Sequence, residues 1–395
     1  MNILQIIGTI DPRAGGPVEG LIQQGKEMND RGHEVHTLTL DAPDTVPIDP
    51  RIESKAVYFL GPSWRKYAFN IRLEPWLREH GRKYDVIIVH GMWQYHGYCV
   101  GRVARSLGLR YVIFLHGMLD PWFARAYPRK HLKKWLYWPW AEYRTLRDAR
   151  LVLFTTAEEQ RLARESFWLY KVRERLVGYG IKAREIPPGG ARQDFLARFP
   201  HLRDTRNLVY LSRIHPKKGC DLLITAFAKV AHEDPSLHLV LAGPADAQWL
   251  PVLQELVHRH GLGSRVTFTG MLTGSLKWGA YDAAEAFVLP SHQENFGIVV
   301  AEALASGLPV LITYNVNIWK EIADAKAGIV HADTQEGADR LLADWLAMPE
   351  AERLAMRRQA LVCFEQHFEV SRVTDYLITA LHDVVSDKPI RHTFP

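Results

Sequence analysis

The chain has 395 residues, enough for two domains of average size, roughly 150 residues each. Its composition, 47% hydrophobic and 24% charged, with a net charge of +5, is that of a globular protein and excludes a disordered or fibrous one. Three widely spaced cysteines exclude a disulfide framework and a cysteine-rich zinc site. Because the first residues do not resemble a signal peptide and no apolar run approaches the roughly 18 residues of a membrane span, we expect a soluble cytoplasmic protein.

Short apolar runs alternate with helical stretches along the first half of the chain. They predict strands at residues 2–7, 34–40, 85–90, 111–116 and 151–155. Continuous apolar runs of this length are typical of strands that are buried on both faces of a parallel sheet. The alternation therefore predicts an α/β fold with a doubly wound sheet built from right-handed βαβ units.

Residues 186–190, IPPGG, interrupt this alternation and predict a turn. The alternation then resumes, with strands predicted at 208–211, 238–242, 266–269, 286–289, 309–312 and 328–330, and two helices at 351–366 and 370–385. We predict two Rossmann-like halves joined near residues 190–206.

Residues 291–310, SHQENFGIVVAEALASGLPV, carry the most informative pattern. A helix is expected to begin near Phe296, after a strand and a polar loop, and to end by Gly307. Its first N–H groups and its dipole would form an anion site suited to a phosphate. Glu294 and Glu302 would lie roughly 9 Å apart along the helix axis, so they suit hydroxyl groups at opposite ends of a nucleotide sugar. The alternative is that Glu294 lies in a solvated loop and Glu302 on the surface of the helix.

Two loops that follow predicted strands carry further candidates. In LVYLSRIHPKKG, Arg213 and Lys218 follow a strand, where a guanidinium fork and an ammonium group suit a diphosphate. The alternative is a basic surface turn. In the first loop, Gly15 and Gly16 allow the backbone to approach a ligand closely, although the loop is not a GxGxxG fingerprint and also suits a plain helix-entry turn.

Three histidines are expected near strand ends in the first half. His116 lies in LHGMLD, and His90 and His96 lie in HGMWQYHG. Each suits either a ligand contact or a structural role. Because no HxxxH pair and no accompanying carboxylate appear, we predict no metal site.

These features together resemble the signature of the family-4 retaining glycosyltransferases of the GT-B fold. The pattern ExFGxxxxE, beginning at Glu294, is followed by Ala-Leu-Ala-x-Gly-x-Pro-Val. Further residues and motifs that support the resemblance follow in order along the chain: Gly15 and Gly16, His116, IPPGG, and LSRIHPKKG. The resemblance covers most of the chain and is strongest over residues 207–312. Pro188 and Gly189 depart from the Asn-Gly turn that the family often has.

The resemblance implies two Rossmann-like domains that face a cleft. Residues 1–195, with a helix returning at about 370–395, would form the acceptor-binding domain. Residues 196–369 would form the nucleotide-sugar-binding domain.

The resemblance also implies the role of each candidate residue. Arg213 and Lys218 would neutralise the donor diphosphate in place of a metal. Glu294 would hold the transferred sugar and Glu302 the ribose. The other implied contacts are Gly15 and Gly16 on the phosphate and sugar, His116 on the sugar near the reaction centre, Met271 near the base, and Asn295 with the backbone amides of Phe296, Gly297 and Ile298 on the donor.

The reaction that we predict is transfer of a sugar from a nucleotide diphosphate to an acceptor hydroxyl with retained anomeric configuration. The predicted catalytic residues are His116, Glu294, Arg213 and Lys218, and no cofactor is expected. A front-side attack needs no enzyme nucleophile; Asp120 or Asp11 would serve if one were required. By resemblance, the acceptor belongs to polysaccharide, lipopolysaccharide or glycolipid assembly.

Other readings of the same scaffold remain open. A sugar phosphorylase or a nucleotide-sugar epimerase would use a similar donor site, and an epimerase would need no acceptor. A non-catalytic GT-B-like binding protein is disfavoured by the intact candidate residues. A glycosidase is disfavoured because its paired carboxylates must flank a single bond.

Residues 121–147 carry seven Lys and Arg, one acid, Glu142, and four of the twelve Trp. Aromatic and basic residues interleaved in this way suit an anionic membrane surface or a groove for a saccharide acceptor. The alternative is a helix with one packed and one solvated face. Because no recognition motif accompanies the charge, we do not expect nucleic acid as a partner.

Overall fold

The computed structural model describes residues 1–184 and 190–387. They form two compact units: unit 1 contains residues 1–182 and 370–387, and unit 2 contains residues 183–184 and 190–369. Each unit is built on one parallel sheet flanked by helices, which confirms the prediction of two Rossmann-like domains. Residues 186–189 of the predicted IPPGG turn lie outside the described residues.

Unit 1 has a seven-stranded parallel sheet in the order β3-β2-β1-β4-β5-β6-β7. Its strands are β1 Asn2–Ile7, β2 Glu34–Thr39, β3 Ala56–Phe59, β4 Val86–His90, β5 Tyr111–Phe114, β6 Leu151–Phe154 and β7 Glu174–Leu176. Five of these were predicted. The short strands β3 and β7 were missed because they lie at the two edges of the sheet, where burial does not impose a continuous apolar run.

The helices of unit 1 are α1 Gly16–Asp30, α2 Leu73–His80, α3 Tyr95–Leu107, α4 Trp122–Ala126, α5 Pro128–Tyr137, α6 Tyr143–Asp148, α7 Ala157–Arg164 and α16 Val370–Val385. A π-helical turn, Trp138–Glu142, joins α5 to α6. Successive side chains of the strands point to opposite faces, so the sheet has an apolar core on each side.

The last helix, α16, covers one face of the sheet of unit 1. Its Leu377 and Leu381 lie in the same buried cluster as Ile3 and Ile88 of the strands. A largely buried polar contact extends the packing: the carboxylate of Asp383 accepts a hydrogen bond at 2.7 Å from Arg175. The predicted return of the C-terminal helix to the first domain is therefore confirmed.

Unit 2 has a six-stranded parallel sheet in the order β10-β9-β8-β11-β12-β13. Its strands are β8 Arg206–Leu211, β9 Leu237–Ala242, β10 Val266–Gly270, β11 Ala284–Leu289, β12 Val310–Thr313 and β13 Gly328–His331. Its helices are α8 Gly190–Arg198, α9 Cys220–Ala231, α10 Trp249–Arg259, α11 Gly274–Asp282, α12 Ile298–Ala305, α13 Trp319–Asp324, α14 Gln335–Ala347 and α15 Glu350–His367.

The division between the units lies between Lys182 and Ala183, earlier than the expected boundary at 195. The reason is that α8 packs on α11, where a side chain at Gly279 would lie 2.1 Å from the carbonyl oxygen of Ala191. In addition, the buried guanidinium of Arg184 forms an ion pair with Asp282 of α11.

Candidate active site

In unit 2, the predicted donor residues lie beyond the carboxyl ends of β8, β10 and β11. Open α/β sheets bind their ligands at the carboxyl ends of the strands. After β8 the chain forms a 3-10 turn, Pro216–Lys218, and reaches Gly219 with φ of 69°. A Cβ atom at Gly219 would lie 2.1 Å from the carbonyl oxygen of Pro290. Only glycine fits there, and this close approach brings the loop after β8 against the loop after β11.

Lys218 and Glu294, predicted separately from two motifs, form an ion pair. The ammonium group of Lys218 is almost fully buried, whereas the carboxylate of Glu294 is partly exposed. The loop after β12 holds the backbone of Glu294: its N–H donates to Asn315 at 2.8 Å, and its carbonyl accepts from the N–H of Asn317 at 3.0 Å. Arg213 lies on the same loop as Lys218 and is exposed.

Helix α12 begins at Ile298, two residues later than predicted. Gly297 is the N-cap and has φ of 79°, a left-handed conformation that cannot belong to the helix. Phe296 is buried and packs edge-on against Phe368, with ring centroids 5.6 Å apart. Asn295 is half-buried beside Asn317. The predicted anion site is thus the first turn of a regular eight-residue helix.

Glu302 is largely buried, which excludes the alternative of a solvated surface residue. Its two carboxylate oxygens have different partners: Lys277 Nζ lies 2.6 Å from one, and the hydroxyl of Tyr281 donates to the other at 3.1 Å. Burial raises the pKa of Tyr281 well above its ordinary value, so it remains a hydrogen-bond donor. Lys277 and Tyr281 were not identified from the sequence. Their spacing of four residues on α11 was the available signal.

Met271 directly follows β10, as predicted, and its side chain is highly exposed. It is separated by one strand, β9, from β8 and the loop that carries Lys218. Met271 therefore lies at the carboxyl ends of the strands, as the ion pair does.

In unit 1, the first loop and two histidines lie at the corresponding edge of the sheet. Gly15 is the N-cap of α1 with φ of 79°, and nothing lies within 4 Å of the position of its missing Cβ. The carbonyl of Gly16 accepts a hydrogen bond at 2.6 Å from the hydroxyl of Tyr179. The backbone of this loop is therefore open to a ligand at Gly15 and anchored at Gly16.

His116 lies two residues beyond β5 rather than within the predicted strand, because its φ of 51° ends the extended conformation. Its Nε2 lies 3.1 Å from Nδ1 of His90, the last residue of β4. The Nε2 of His90 in turn lies 3.0 Å from Oε1 of Gln5 in β1. Burial lowers the pKa of His116 to about 4 and that of His90 well below its ordinary value.

This chain of contacts determines the tautomers of the two neutral imidazoles. Since the amide oxygen of Gln5 accepts, His90 carries its proton on Nε2 and offers a lone pair on Nδ1. His116 then donates its Nε2 proton to His90, so its own Nδ1 is an acceptor for a hydroxyl group. Gln5 was not identified from the sequence because a single polar residue within an apolar strand gives no local signal.

The remaining candidates of unit 1 have local partners. His96 lies inside α3 rather than at a strand end, and its Nε2 contacts the carbonyl of His90 at 3.0 Å. The carboxylate of Asp11 is paired with Arg13, and that of Asp120 accepts from the backbone N–H of Trp122 at 2.8 Å. Both aspartates thus act as turn or helix caps.

Within the described residues, no group of three or more His, Cys, Asp or Glu side chains is arranged to hold a metal ion. Across residues 1–184 and 190–387, none of the helices combines the length and apolar character needed to cross a bilayer.

Two family models match the chain, one in each half. Residues 15–180 match the glycosyl transferase 4-like domain, and residues 192–361 match the glycosyl transferases group 1. Each half of the chain thus matches a glycosyl transferase family model. The family resemblance and the GT-B fold predicted from the motifs are thereby confirmed, whereas the roles assigned to individual residues stay predictions.

Solved structures share the fold of the chain. Sucrose-phosphate synthase from Thermosynechococcus elongatus has a TM-score of 0.79 and 20% identity, with 98% of this chain and 100% of that chain covered. Anabaena Alr3699/HepE in complex with UDP and glucose has a TM-score of 0.74 and 17% identity, with 97% of this chain and 100% of that chain covered.

Among curated relatives, the alpha-monoglucosyldiacylglycerol synthase of Streptococcus pneumoniae is 27% identical over 215 residues, which are 53% of this chain and 48% of that protein. The two relatives matched ahead of it are 32% and 33% identical and are matched over 37% and 36% of their own length. The chain thus spans between about a third and a half of the length of these relatives.

Proposed function

We propose that the chain is a retaining, metal-independent glycosyltransferase that moves a sugar from a nucleotide diphosphate to an acceptor hydroxyl. The observation that carries the proposal is the convergence of Lys218 and Glu294, from loops 76 residues apart, into one ion pair at the ligand-binding edge of unit 2. A cation for the diphosphate and a carboxylate for sugar hydroxyls are the two groups that binding of a nucleotide sugar requires.

The main catalytic effect would be stabilisation of the leaving nucleotide diphosphate. Arg213 and Lys218 supply positive charge that is already in place before the reaction, and such preorganised charge lowers the barrier by several kcal/mol. The N–H groups at the start of α12 add partial positive charge. In unit 1, His116 would accept a hydrogen bond from a hydroxyl of the reacting sugar, and Gly15 would allow the donor to approach the backbone.

No protein carboxylate would serve as the nucleophile in this proposal. Asp11 and Asp120 are engaged by neighbouring groups of their own turns, which supports a front-side reaction in which the leaving phosphate accepts the proton of the acceptor hydroxyl. The charge that a metal ion would provide comes from Arg213 and Lys218.

The first experiment is thermal-shift measurement with UDP, GDP and ADP and their sugars, with and without EDTA. A ligand that binds only the folded state raises the melting temperature by mass action. We expect one nucleotide to stabilise the protein equally in both buffers, and UDP is the first to test because Alr3699/HepE contains it. A stabilisation that disappears with EDTA would contradict metal independence.

Turnover by variants tests the assignment of the diphosphate site. Arg213→Ala should lower kcat/KM by roughly 100-fold or more with little change in melting temperature, because the side chain is exposed. Arg203→Ala, another exposed arginine of unit 2, is the control. Normal turnover by Arg213→Ala would contradict the proposal. Release of UDP without an acceptor, or epimerised donor as product, would favour the other enzyme readings.

For the acceptor, we propose a lipid-linked or surface saccharide that the protein meets at the cytoplasmic face of a membrane, with residues 121–147 toward that surface. The lipid product in the name of the pneumococcal relative supports this class.

The stereochemistry of the reaction is tested on the product. NMR coupling constants of the new anomeric proton show whether the anomeric configuration is retained or inverted.

A further inference from the structure

Large exposed hydrophobic side chains are concentrated on one part of unit 1. Of the sixteen that the described residues contain, nine lie in three short segments of that unit. The nine are Trp64, Phe69, Ile71, Tyr127, Leu132, Trp135, Leu136, Trp140 and Trp168. Soluble domains rarely expose such a group, so this concentration calls for a partner.

Helix α5 has no buried residue. Leu132 and Leu136 are 64% and 69% exposed and lie four residues apart, so with Trp135 they form one uncovered apolar face. The helix also carries Arg129, Lys130 and Lys133, all exposed. An amphipathic helix of this kind suits a lipid surface.

A second segment, residues 64–71, has the same character but lies outside the range singled out from the sequence. Trp64 and Phe69 exchange backbone hydrogen bonds of 2.8 and 3.2 Å, which close a tight hairpin with Arg65 and Lys66 at its tip. Trp64 is 65% and Ile71 75% exposed. Arg65 lies 4.5 Å over the ring of Trp64. The hairpin therefore presents aromatic and basic groups together.

Aromatic contacts join the segments into one surface. The hydroxyl groups of Tyr67 and Tyr137 form a hydrogen bond, with ring centroids 5.9 Å apart. Tyr137 also packs against Trp140 at 4.7 Å. At the other end, Trp135 packs on Trp168 at 5.8 Å. We call the hairpin, α5, Trp140 and Trp168 the aromatic surface.

The charge of this surface has one sign. Residues 62–72 contain three basic and no acidic residues, and the single acid of 121–147, Glu142, is buried. Among the residues that the structure describes, no carboxylate forms an ion pair with Arg65, Lys66, Arg129 or Lys133. Exposed cations beside exposed tryptophans are complementary to the anionic headgroups and the interface of a bilayer.

The aromatic surface also connects to the edge of the sheet that carries His116. Lys134 of α5 lies 4.4 Å over the ring of Trp93, which follows β4. The indole N–H of Trp93 donates at 3.3 Å to the carbonyl of Met118, two residues after His116. A lipid-linked acceptor at the surface would thus lie beside this edge.

We propose that the hairpin at residues 64–71 and helix α5 dock together on an anionic lipid bilayer, and that the hairpin is a second membrane-contacting element. The assignment of a lipid-linked acceptor rests on the proposed transferase function, whereas docking itself can be measured without turnover. Trp168 extends the contact on the far side of α5.

The experiment is co-sedimentation of the full chain with vesicles of phosphatidylcholine and with vesicles of equal parts phosphatidylcholine and phosphatidylglycerol. We expect binding to the anionic vesicles that weakens as salt rises. Trp64→Ser/Ile71→Ser should lower the partition coefficient at least about tenfold, because both side chains are highly exposed and apolar. The matched control is Val252→Ser/Leu354→Ser, two exposed apolar side chains of unit 2.

A charge test complements the apolar one. Arg65→Glu/Lys66→Glu should lower binding to anionic vesicles at least about tenfold, whereas Arg203→Glu/Arg358→Glu, with the same change in net charge, should not. A melting temperature and a nucleotide-induced shift equal to those of the wild type show that each variant is folded.

Two results would overturn the proposal. One is a wild-type protein that does not bind anionic vesicles; the other is a hairpin variant that binds as tightly as the wild type. If vesicles bind but no nucleotide stabilises the protein, the transferase proposal fails and the docking proposal stands. If a nucleotide stabilises the protein and vesicles do not bind, only docking fails.

Discussion

Nε2 of His116 lies 3.1 Å from Nδ1 of His90, and the planes of the two rings are nearly parallel, with an interplanar angle of 13°. His90 is buried, so its role is to orient His116 rather than to contact a ligand. The side chain of Gln5, on the neighbouring strand β1, lies 3.0 Å from the other ring nitrogen of His90. Residues of β1 and β4 thus determine which nitrogen of His116, in the loop after β5, can accept a hydrogen bond.

His90→Leu should lower kcat by roughly 10- to 100-fold while the KM for the donor stays within about twofold, because His116 remains present but loses its orientation. The nitrogen chemical shifts of the His116 ring should change from a single tautomer to a mixture. His238→Leu, also a buried histidine but in unit 2, is the control. Unchanged shifts in His90→Leu would contradict a positioning role.

The buried histidines predict that acid destabilises unit 1. Burial lowers the pKa of His96 and of His116 to about 4 from the ordinary 6.5. The unfolded chain therefore binds more protons between these values, and stability falls as the pH falls from about 6.5 to about 4. Each group can contribute about 3 kcal/mol at most over this window.

Melting temperatures across this pH range check the prediction. His96→Gln should show a smaller loss of melting temperature on acidification than the wild type, even though the variant starts from a lower value. His232→Gln, which replaces an exposed histidine, should keep the wild-type pH dependence. Equal pH dependence in His96→Gln and in the wild type would show that His96 is not among the responsible groups.

Glu302→Gln tests whether this carboxylate binds the ribose. Loss of a charge-assisted hydrogen bond should raise the KM for the donor roughly 10- to 100-fold. The wild type should discriminate against a donor that lacks the ribose hydroxyls, and Glu302→Gln should lose this discrimination. Glu336→Gln, an exposed glutamate of unit 2 paired with Arg340, is the control. If Glu302→Gln still discriminates against this donor, Glu302 does not bind the ribose, and its role is limited to its contacts with Lys277 and Tyr281.

Leu381→Ala tests the contribution of α16 to unit 1. Its side chain is fully buried against the sheet, so the substitution should lower the free energy of unfolding by about 2–5 kcal/mol. Leu354→Ala, an exposed leucine of unit 2, should change it by less than about 0.5 kcal/mol. Urea-induced unfolding measures both. A small effect at Leu381 would mean that unit 1 is stable without this helix.

Much of the fold could be predicted from the sequence because buried parallel strands require continuous apolar runs. The runs at residues 2–7 and 34–40 correspond closely to β1 and β2. The edge strands β3 and β7 were missed because partial exposure relaxes that requirement. The start of α12 was misplaced because a glycine with a positive φ looks, in sequence, like any helix-entry residue.

For the site, the sequence by itself identified the candidate residues: Lys218, Glu294 and His116 follow strands, and Glu302 lies in the helix of the same motif as Glu294. Local patterns identify such positions. Only the tertiary structure decided their partners. Lys218 meets Glu294 across 76 residues, and His90 meets Gln5 across 85. Such contacts depend on strand order and register in a folded sheet, and no local pattern records which strands become neighbours.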